Sequence, residues 1–187
     1  MIAGPSGVGK GTVVRHVLER LPRLRLSVSA TTRPPRSSEQ DGVDYFFVTE
    51  EAFAEMARSG GLLEWAEVFD HLYGTPVAPV RKALDERRDV LLEIDVQGAW
   101  QVKERMPGAI LVLLEPPSLD ELERRLRSRG TEDEEDLERR LEKVVWELDQ
   151  RSWFDHVVVN DDVERATEEV AAIIQGSPPA TEGPSRP

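Results

Sequence analysis

Gly4-Pro5-Ser6-Gly7-Val8-Gly9-Lys10 spaces its glycines and lysine as G-x-x-x-x-G-K, directly ahead of a helical pattern. Glycines let successive backbone N–H groups turn inward around a phosphate, and a following helix adds the positive end of its dipole. Lys10 would then reach the outer phosphates of a nucleotide. The plainer alternative is a flexible glycine turn. One position departs from the pattern: Gly11 stands where Ser or Thr normally offers a hydroxyl to magnesium. Thr12 is the next hydroxyl, placed for an α-phosphate. Any cation is therefore expected to be held through water and not by direct protein ligands.

Arg33 and Arg36 stand three apart, so two planar guanidinium forks can converge on one phosphate. Two surface arginines beside the Pro34-Pro35 turn are the plainer reading. Tyr45 and Tyr73 are the only tyrosines. A phenol donates to a phosphate oxygen without adding charge, or simply packs in a core. Glu64 interrupts the apolar stretch Leu62-Leu63-Glu64-Trp65-Ala66, either as a buried acceptor or as an outward strand position. Val90–Asp95 reads as a strand that brings Glu93 and Asp95 to one face at its C-terminal end, where ligands of parallel sheets bind. These acids are placed to order the water around magnesium or to meet a second substrate, and the spacing does not separate those roles. One exposed acid after a buried strand is the bland account. His16, His71 and His156 share no metal-ligand spacing, and no catalytic base is assigned.

Elements that position these groups follow from periodicity. Leu26–Ser29, Val90–Ile94, Ile110–Leu114 and Val157–Val159 read as buried strands. Residues 11–21, 76–87, 97–106, 118–129, 134–151 and 162–175 read as helices. The alternation predicts an α/β fold, a parallel sheet with helices on both faces. Ser118-Leu119-Asp120-Glu121 has capping-box spacing, and Thr75 before Pro76 reads as an N-cap with proline at the first helical position. Residues 33–75 break the rhythm. There Tyr45–Val48 and Leu62–Val68 read as strands and Glu50–Ser59 as a short helix, the pattern of an inserted subdomain with some antiparallel pairing. Residues 124–143 are almost all charged, the usual mark of a solvated helix face. The proline-rich tail 176–187 is expected to be disordered.

The 187 residues suit one domain with a small insertion. The absence of cysteine excludes disulfides and thiolate chemistry and points to a reduced, cytoplasmic setting. No apolar run approaches the about 18 residues of a membrane helix. A net charge of −12 argues against generic nucleic-acid binding. Residues 1–38, however, hold seven basic side chains and one acid, a net of +6, which fits a small anion. Only Met1-Ile2-Ala3 precede the loop, whereas a strand feeding it usually has about five or six residues. The native start is therefore expected upstream of Met1.

Further segments join the loop in one pattern: residues 27–36 (SVSATTRPPR), 42–48 (GVDYFFV), 63–67 (LEWAE), 73–75 (YGT), 93–98 (EIDVQG), 116–118 (PPS), 129–132 (RGTE) and 159–161 (VND). In order over about residues 1–175, they resemble the guanylate kinase family. The resemblance implies a P-loop NTPase-type core (1–32, 83–124 and 143–175), a GMP-binding subdomain (33–82) and a mobile lid (125–142). It implies MgATP as phosphoryl donor and GMP or dGMP as acceptor, in purine nucleotide metabolism. By motif match, Gly4, Pro5, Ser6, Gly7, Val8, Gly9, Lys10, Gly11 and Thr12 hold ATP, with Asn160 and Asp161 beside the adenine. Arg33, Arg36, Tyr45 and Tyr73 hold the GMP phosphate, and Ser29, Glu64 and Thr75 contact guanine. Glu93 and Asp95 fall on the GMP side, and Arg125, Arg129 and Arg140 close on ATP. Gly-Lys-Gly-Thr also occurs in adenylate kinases, so Gly11 does not argue against kinase activity.

The chemistry of Glu64 favours guanine, whose N1–H and N2–H a carboxylate accepts together; adenine turns an acceptor toward it at N1. Arginines within 124–143 would cover charge on a transferring phosphoryl group, and the acids of 132–136 would keep an open lid solvated. Two rivals remain: a catalytically inert binding module of the same fold, and a kinase for another phosphorylated small molecule. Retention of Gly4, Gly9 and Lys10 speaks against the first, and Glu64 with Ser29 and Thr75 against the second. No nucleic-acid or membrane partner is expected.

Overall fold

The computed structural model describes residues 1–68, 70–128 and 134–176. In chain order the elements are β1 (Ile2–Ala3), α1 (Lys10–Arg20), β2 (Arg25–Leu26), β3 (Ser29–Thr31), β4 (Tyr45–Phe47), α2 (Glu50–Arg58), β5 (Leu62–Val68), β6 (His71–Pro76), α3 (Val77–Asp85), β7 (Val90–Leu91), α4 (Val96–Arg105), β8 (Val112–Glu115), α5 (Leu119–Ser128), α6 (Glu134–Asp149), a 3-10 turn (Gln150–Trp153), β9 (His156–Val159) and α7 (Val163–Ile174). The chain divides into two compact units, Arg23–Ala109 with Met1, and Ile2–Pro22 with the residues from Ile110 onward.

In the second unit β1, β8 and β9 form a parallel sheet in the order β1-β8-β9, with Ile2 opposite Val112 and Val112 opposite His156. Ile2, Ala3, Val112, Leu113 and Leu114 are buried, as both faces of a parallel strand must be. α1 packs against α7, burying Val13, Val14 and Val17 on one helix and Ala166, Val170 and Ile173 on the other. Asp162 caps α7 through the Arg165 N–H.

The first unit holds a parallel pair, β2 with β7, and a four-stranded sheet in the order β4-β3-β6-β5. The β3–β6 and β5–β6 pairs are antiparallel, as expected for the region that breaks the rhythm. Ala30, Phe53 and Leu62 form a small core beneath it, joined by Phe46, Met56 and Leu72. Thr49 caps α2 by accepting the Ala52 N–H.

Four local expectations are corrected. The single strand over Leu26–Ser29 is two strands. Its last rung to β7 is Ser27 N–H to the Leu91 carbonyl, after which Ala30 enters the other core. The strand over Val90–Ile94 ends at Leu91, because Asp95 turns out as the N-cap of α4. Thr75 is not a helix cap: it belongs to β6, its hydroxyl is spent on Glu64, and Pro76 occupies the cap position of α3. Only half of the capping box forms. The Ser118 hydroxyl accepts the Glu121 N–H, while the Glu121 carboxylate is drawn off by Arg124 and Arg125 and held at about pKa 2.

Candidate functional site

In the second unit the phosphate loop joins the C-terminal end of β1 to α1, the end of a parallel sheet at which ligands gather. Gly9 is the N-cap and brings no side chain to the first N–H groups of α1, and no acid lies in that turn. Those donors and the helix dipole remain directed at an anion. The chain needs glycine twice here for lack of room. A Cβ at Gly4 would lie 2.4 Å from the Leu114 carbonyl oxygen, and one at Gly9 would lie 2.6 Å from Asn160 Nδ2. The Lys10 ammonium bends over the loop, donating to the carbonyls of Gly4 (2.5 Å) and Pro5 (3.2 Å).

Asn160 is buried, and its Nδ2 donates to the Val8 carbonyl at 2.8 Å. Its side chain braces the loop from beneath, a task its sequence position did not reveal. Its own carbonyl accepts from the Arg125 guanidinium at 3.3 and 3.4 Å. Asp161 is exposed and paired with Arg165, which keeps its carboxyl below the usual range. Arg140 lies on α6 and is half-buried, whereas Arg129, Glu132, Asp133 and the tail 177–187 lie outside the described residues. Among the described residues no cluster of three His, Cys, Asp or Glu side chains exists to hold a metal. Gly11 offers no hydroxyl where the loop pattern usually has one, and Thr12 follows it.

In the first unit Glu64 lies on β5 opposite Thr75 of β6, just past a register shift that begins at Leu62. Irregularities of this kind re-aim a side chain, and here Glu64 turns inward, only 4% exposed. The outward reading is thereby excluded. The Thr75 hydroxyl donates to Glu64 Oε1 at 2.6 Å. Burial, with the Asp95 charge added, pushes the Glu64 carboxyl up to about 7. Two residues to which the sequence assigned no role shape this spot. Gly98, on α4, leaves the space into which Glu64 Oε2 fits, since a Cβ there would come within 2.4 Å. Gln101 ties α4 to β5 by bonding both the N–H and the carbonyl of Trp65. Asp95 Oδ1 accepts the Gly98 N–H at 2.7 Å, so Asp95 is fixed as a cap and not as a strand residue. Ser29, at the start of β3, is half-buried.

Beside it the sheet gathers Arg33, Tyr45 and Tyr73. Arg33 Nε donates to the Tyr73 hydroxyl at 3.2 Å, and its guanidinium lies over the Tyr45 ring at 5.6 Å. The two tyrosine rings meet edge to face at 6.0 Å. Burial and the charge of Glu93 raise the Tyr45 phenol, keeping it a donor. Arg36 is three-quarters exposed, and both arginines meet one carboxylate, that of Glu39.

A glycine phosphate loop between a parallel strand and a helix defines the P-loop class of fold. A family model described as Guanylate kinase matches residues 1–177. A guanylate kinase of Caldanaerobacter subterraneus is 49% identical over 93% of this chain and 84% of its own length. One of Thermus thermophilus is 54% identical over 93% of this chain and 79% of its own. The crystal structure of guanylate kinase from Anaplasma phagocytophilum is 33% identical, with a TM-score of 0.78, covering 94% of this chain and 82% of that one. The chain belongs to the guanylate kinase family. Its reaction is the ATP-dependent phosphorylation of GMP to GDP.

Proposed function

We propose that the two units divide the substrates between them. The second unit holds ATP on Gly4–Thr12, with Lys10 across the β- and γ-phosphates and Asn160 and Asp161 beside the adenine. The first unit holds GMP or dGMP. There Arg33, Arg36, Tyr45 and Tyr73 take the phosphate, Ser29, Glu64 and Thr75 take the guanine, and Glu93 and Asp95 lie alongside. The observation that carries this reading is the buried Glu64 carboxylate, with one oxygen held by Thr75 and the other given room by Gly98. As a carboxylate it accepts guanine N1–H and N2–H; with adenine it faces a lone pair.

In the reaction an oxygen of the GMP phosphate attacks the γ-phosphorus of ATP, and the bond to the β-bridging oxygen breaks to release ADP. No covalent enzyme intermediate is needed, so positioning and charge stabilisation supply the rate. Lys10 follows the charge on the transferring group, and Arg125, Arg129 and Arg140, on a lid over 125–142, close over it. Magnesium, bound with ATP, would neutralise phosphate charge and be held through water, while the Thr12 hydroxyl would meet the α-phosphate. A chain without cysteine suits a cytoplasmic setting.

Initial rates with MgATP and GMP, dGMP, AMP, CMP or UMP test the reading. GMP and dGMP should be phosphorylated and the others hardly at all. Comparable rates with AMP would remove Glu64 as the base reader.

A further inference from the structure

Glu39 lies between the two arginines assigned to the acceptor phosphate, and no role has been given to it. The turn Arg36–Glu39 closes by Glu39 N–H to the Arg36 carbonyl at 3.0 Å. The same turn returns the Glu39 carboxylate onto the Arg36 backbone N–H at 2.7 Å. From that seat it takes the Arg33 fork: Nη2 reaches Oε1 at 2.8 Å and Oε2 at 3.0 Å. Both side chains are 13% exposed. The pairing holds the Glu39 carboxyl below the usual carboxylate range and raises Arg33.

The remaining Arg33 nitrogens are also anchored, Nε to the Tyr73 hydroxyl and Nη1 to the Pro34 carbonyl at 2.7 Å. A guanidinium has five N–H donors. The four contacts leave one Nη1 hydrogen, on a group that cannot turn. Arg36 reaches the same carboxylate only at 3.8 Å and is otherwise exposed. The pairing with Glu39 sets the geometry of Arg33 before any ligand arrives. The alternative is that Glu39 competes with the phosphate for Arg33. Its double tether to its own turn, with both oxygens already engaged, argues against displacement.

We propose that Glu39 is a positioning residue: it locks Arg33 and the Arg36 backbone into the orientation that receives the acceptor's phosphate. The proposal rests on the reading that Arg33 holds that phosphate.

The test measures affinity for GMP and for guanosine, which lacks the phosphate, in the full chain and in Glu39→Ala, Glu39→Gln, Arg33→Ala and the double variant. Glu39→Ala should weaken GMP at least about tenfold, by analogy with other misplaced binding groups. Guanosine affinity and the KM for ATP should stay within about twofold. Glu39→Gln keeps the volume and one acceptor oxygen, and should lose less. In the Arg33→Ala background, removing Glu39 should cost clearly less than in the parent chain, because only the hold on the Arg36 backbone is then left to lose. A purely structural role would lower the thermal midpoint and weaken guanosine equally, and that result overturns the proposal. Tighter GMP binding in Glu39→Ala overturns it in favour of competition, and unchanged GMP binding overturns it outright. If Arg33→Ala itself leaves GMP unaffected, the phosphate reading fails instead, and the two failures are thus told apart.

Discussion

The phosphate loop is built almost wholly from backbone, whereas the cluster around Glu64 and Arg33 in the first unit is built from side chains braced by other side chains. In the loop, Gly4 and Gly9 serve by what they lack, letting the chain pass within contact of Leu114 and Asn160. Its single charged group, Lys10, is held by carbonyls of the loop itself. In the first-unit cluster, a buried acid, two arginines and two tyrosines depend on residues such as Glu39, Gly98 and Gln101. The loop depends chiefly on its glycines and on the Asn160 brace. A side-chain site inherits the sensitivity of every brace.

The contrast is broken most directly at Lys10. Lys10→Ala removes one preorganised cation and should lower kcat by about 10²–10⁴, the equivalent of about 3–5 kcal/mol. The thermal midpoint should hardly move, since the loop keeps its glycine-defined path. Measuring both on one sample decides it: a near-normal kcat would detach the loop from catalysis.

Glu64 sharpens the other side through pH. Unfolded, its carboxyl titrates near the ordinary 4.5; folded, it does so at about 7. Between those values the folded chain holds the extra proton, so stability falls as pH rises across that window and levels off above it. The shift amounts to about 3 kcal/mol. Urea unfolding at pH 5 and pH 7.5 should show this loss in the parent chain and not in Glu64→Gln. Parallel slopes in both proteins would mean that burial does not govern this acid. If, as proposed, the ionised form accepts guanine, the same titration should lower KM for GMP as pH rises through about 7.

Gly98→Ala asks whether a residue that offers nothing but space belongs to the site. The added carbon would sit 2.4 Å from Glu64 Oε2, and the carboxylate must yield. The KM for GMP should rise about ten- to a hundredfold while that for ATP stays within about twofold. Equal loss for both nucleotides would point to general damage along α4.

What the sequence disclosed follows the same division. The loop was legible because its chemistry is local, with spacing and a following helix enough to place Lys10. Glu64 was legible as an acid in an apolar strand, although its inward direction depends on a register shift invisible in the residues. Glu39 was not, because its partners lie three and six positions back and meet only through a turn. The count of basic residues stopped at position 38, one short of the acid that organises Arg33 and Arg36. Asp95 looked like a strand-end carboxylate because Val90–Ile94 is apolar apart from Glu93, and only the following α4 explains its cap. Leu26–Ser29 hid a change of sheet that no periodicity signals.

The smallest effect expected is at Arg20, and its smallness bears on Glu39. Arg20, like Arg33, is paired with glutamate: it reaches Glu164 at 2.5 Å and Glu168 at 3.3 Å. Its surroundings differ. Arg20 is 39% exposed and its partners are more than 60% exposed, against 13% for both Arg33 and Glu39. Water and salt screen the first set, and holding three long side chains in place offsets what attraction remains. Arg20→Ala should therefore move the thermal midpoint by no more than about 2 °C and leave KM for both nucleotides unchanged. A differential scan at low and at about 0.5 M salt checks this, since any contribution from Arg20 must vanish in salt. Should Arg20→Ala instead match Glu39→Ala in its effect on GMP, burial would not be what separates a positioning pair from a surface pair, and the rank order of these predictions would collapse.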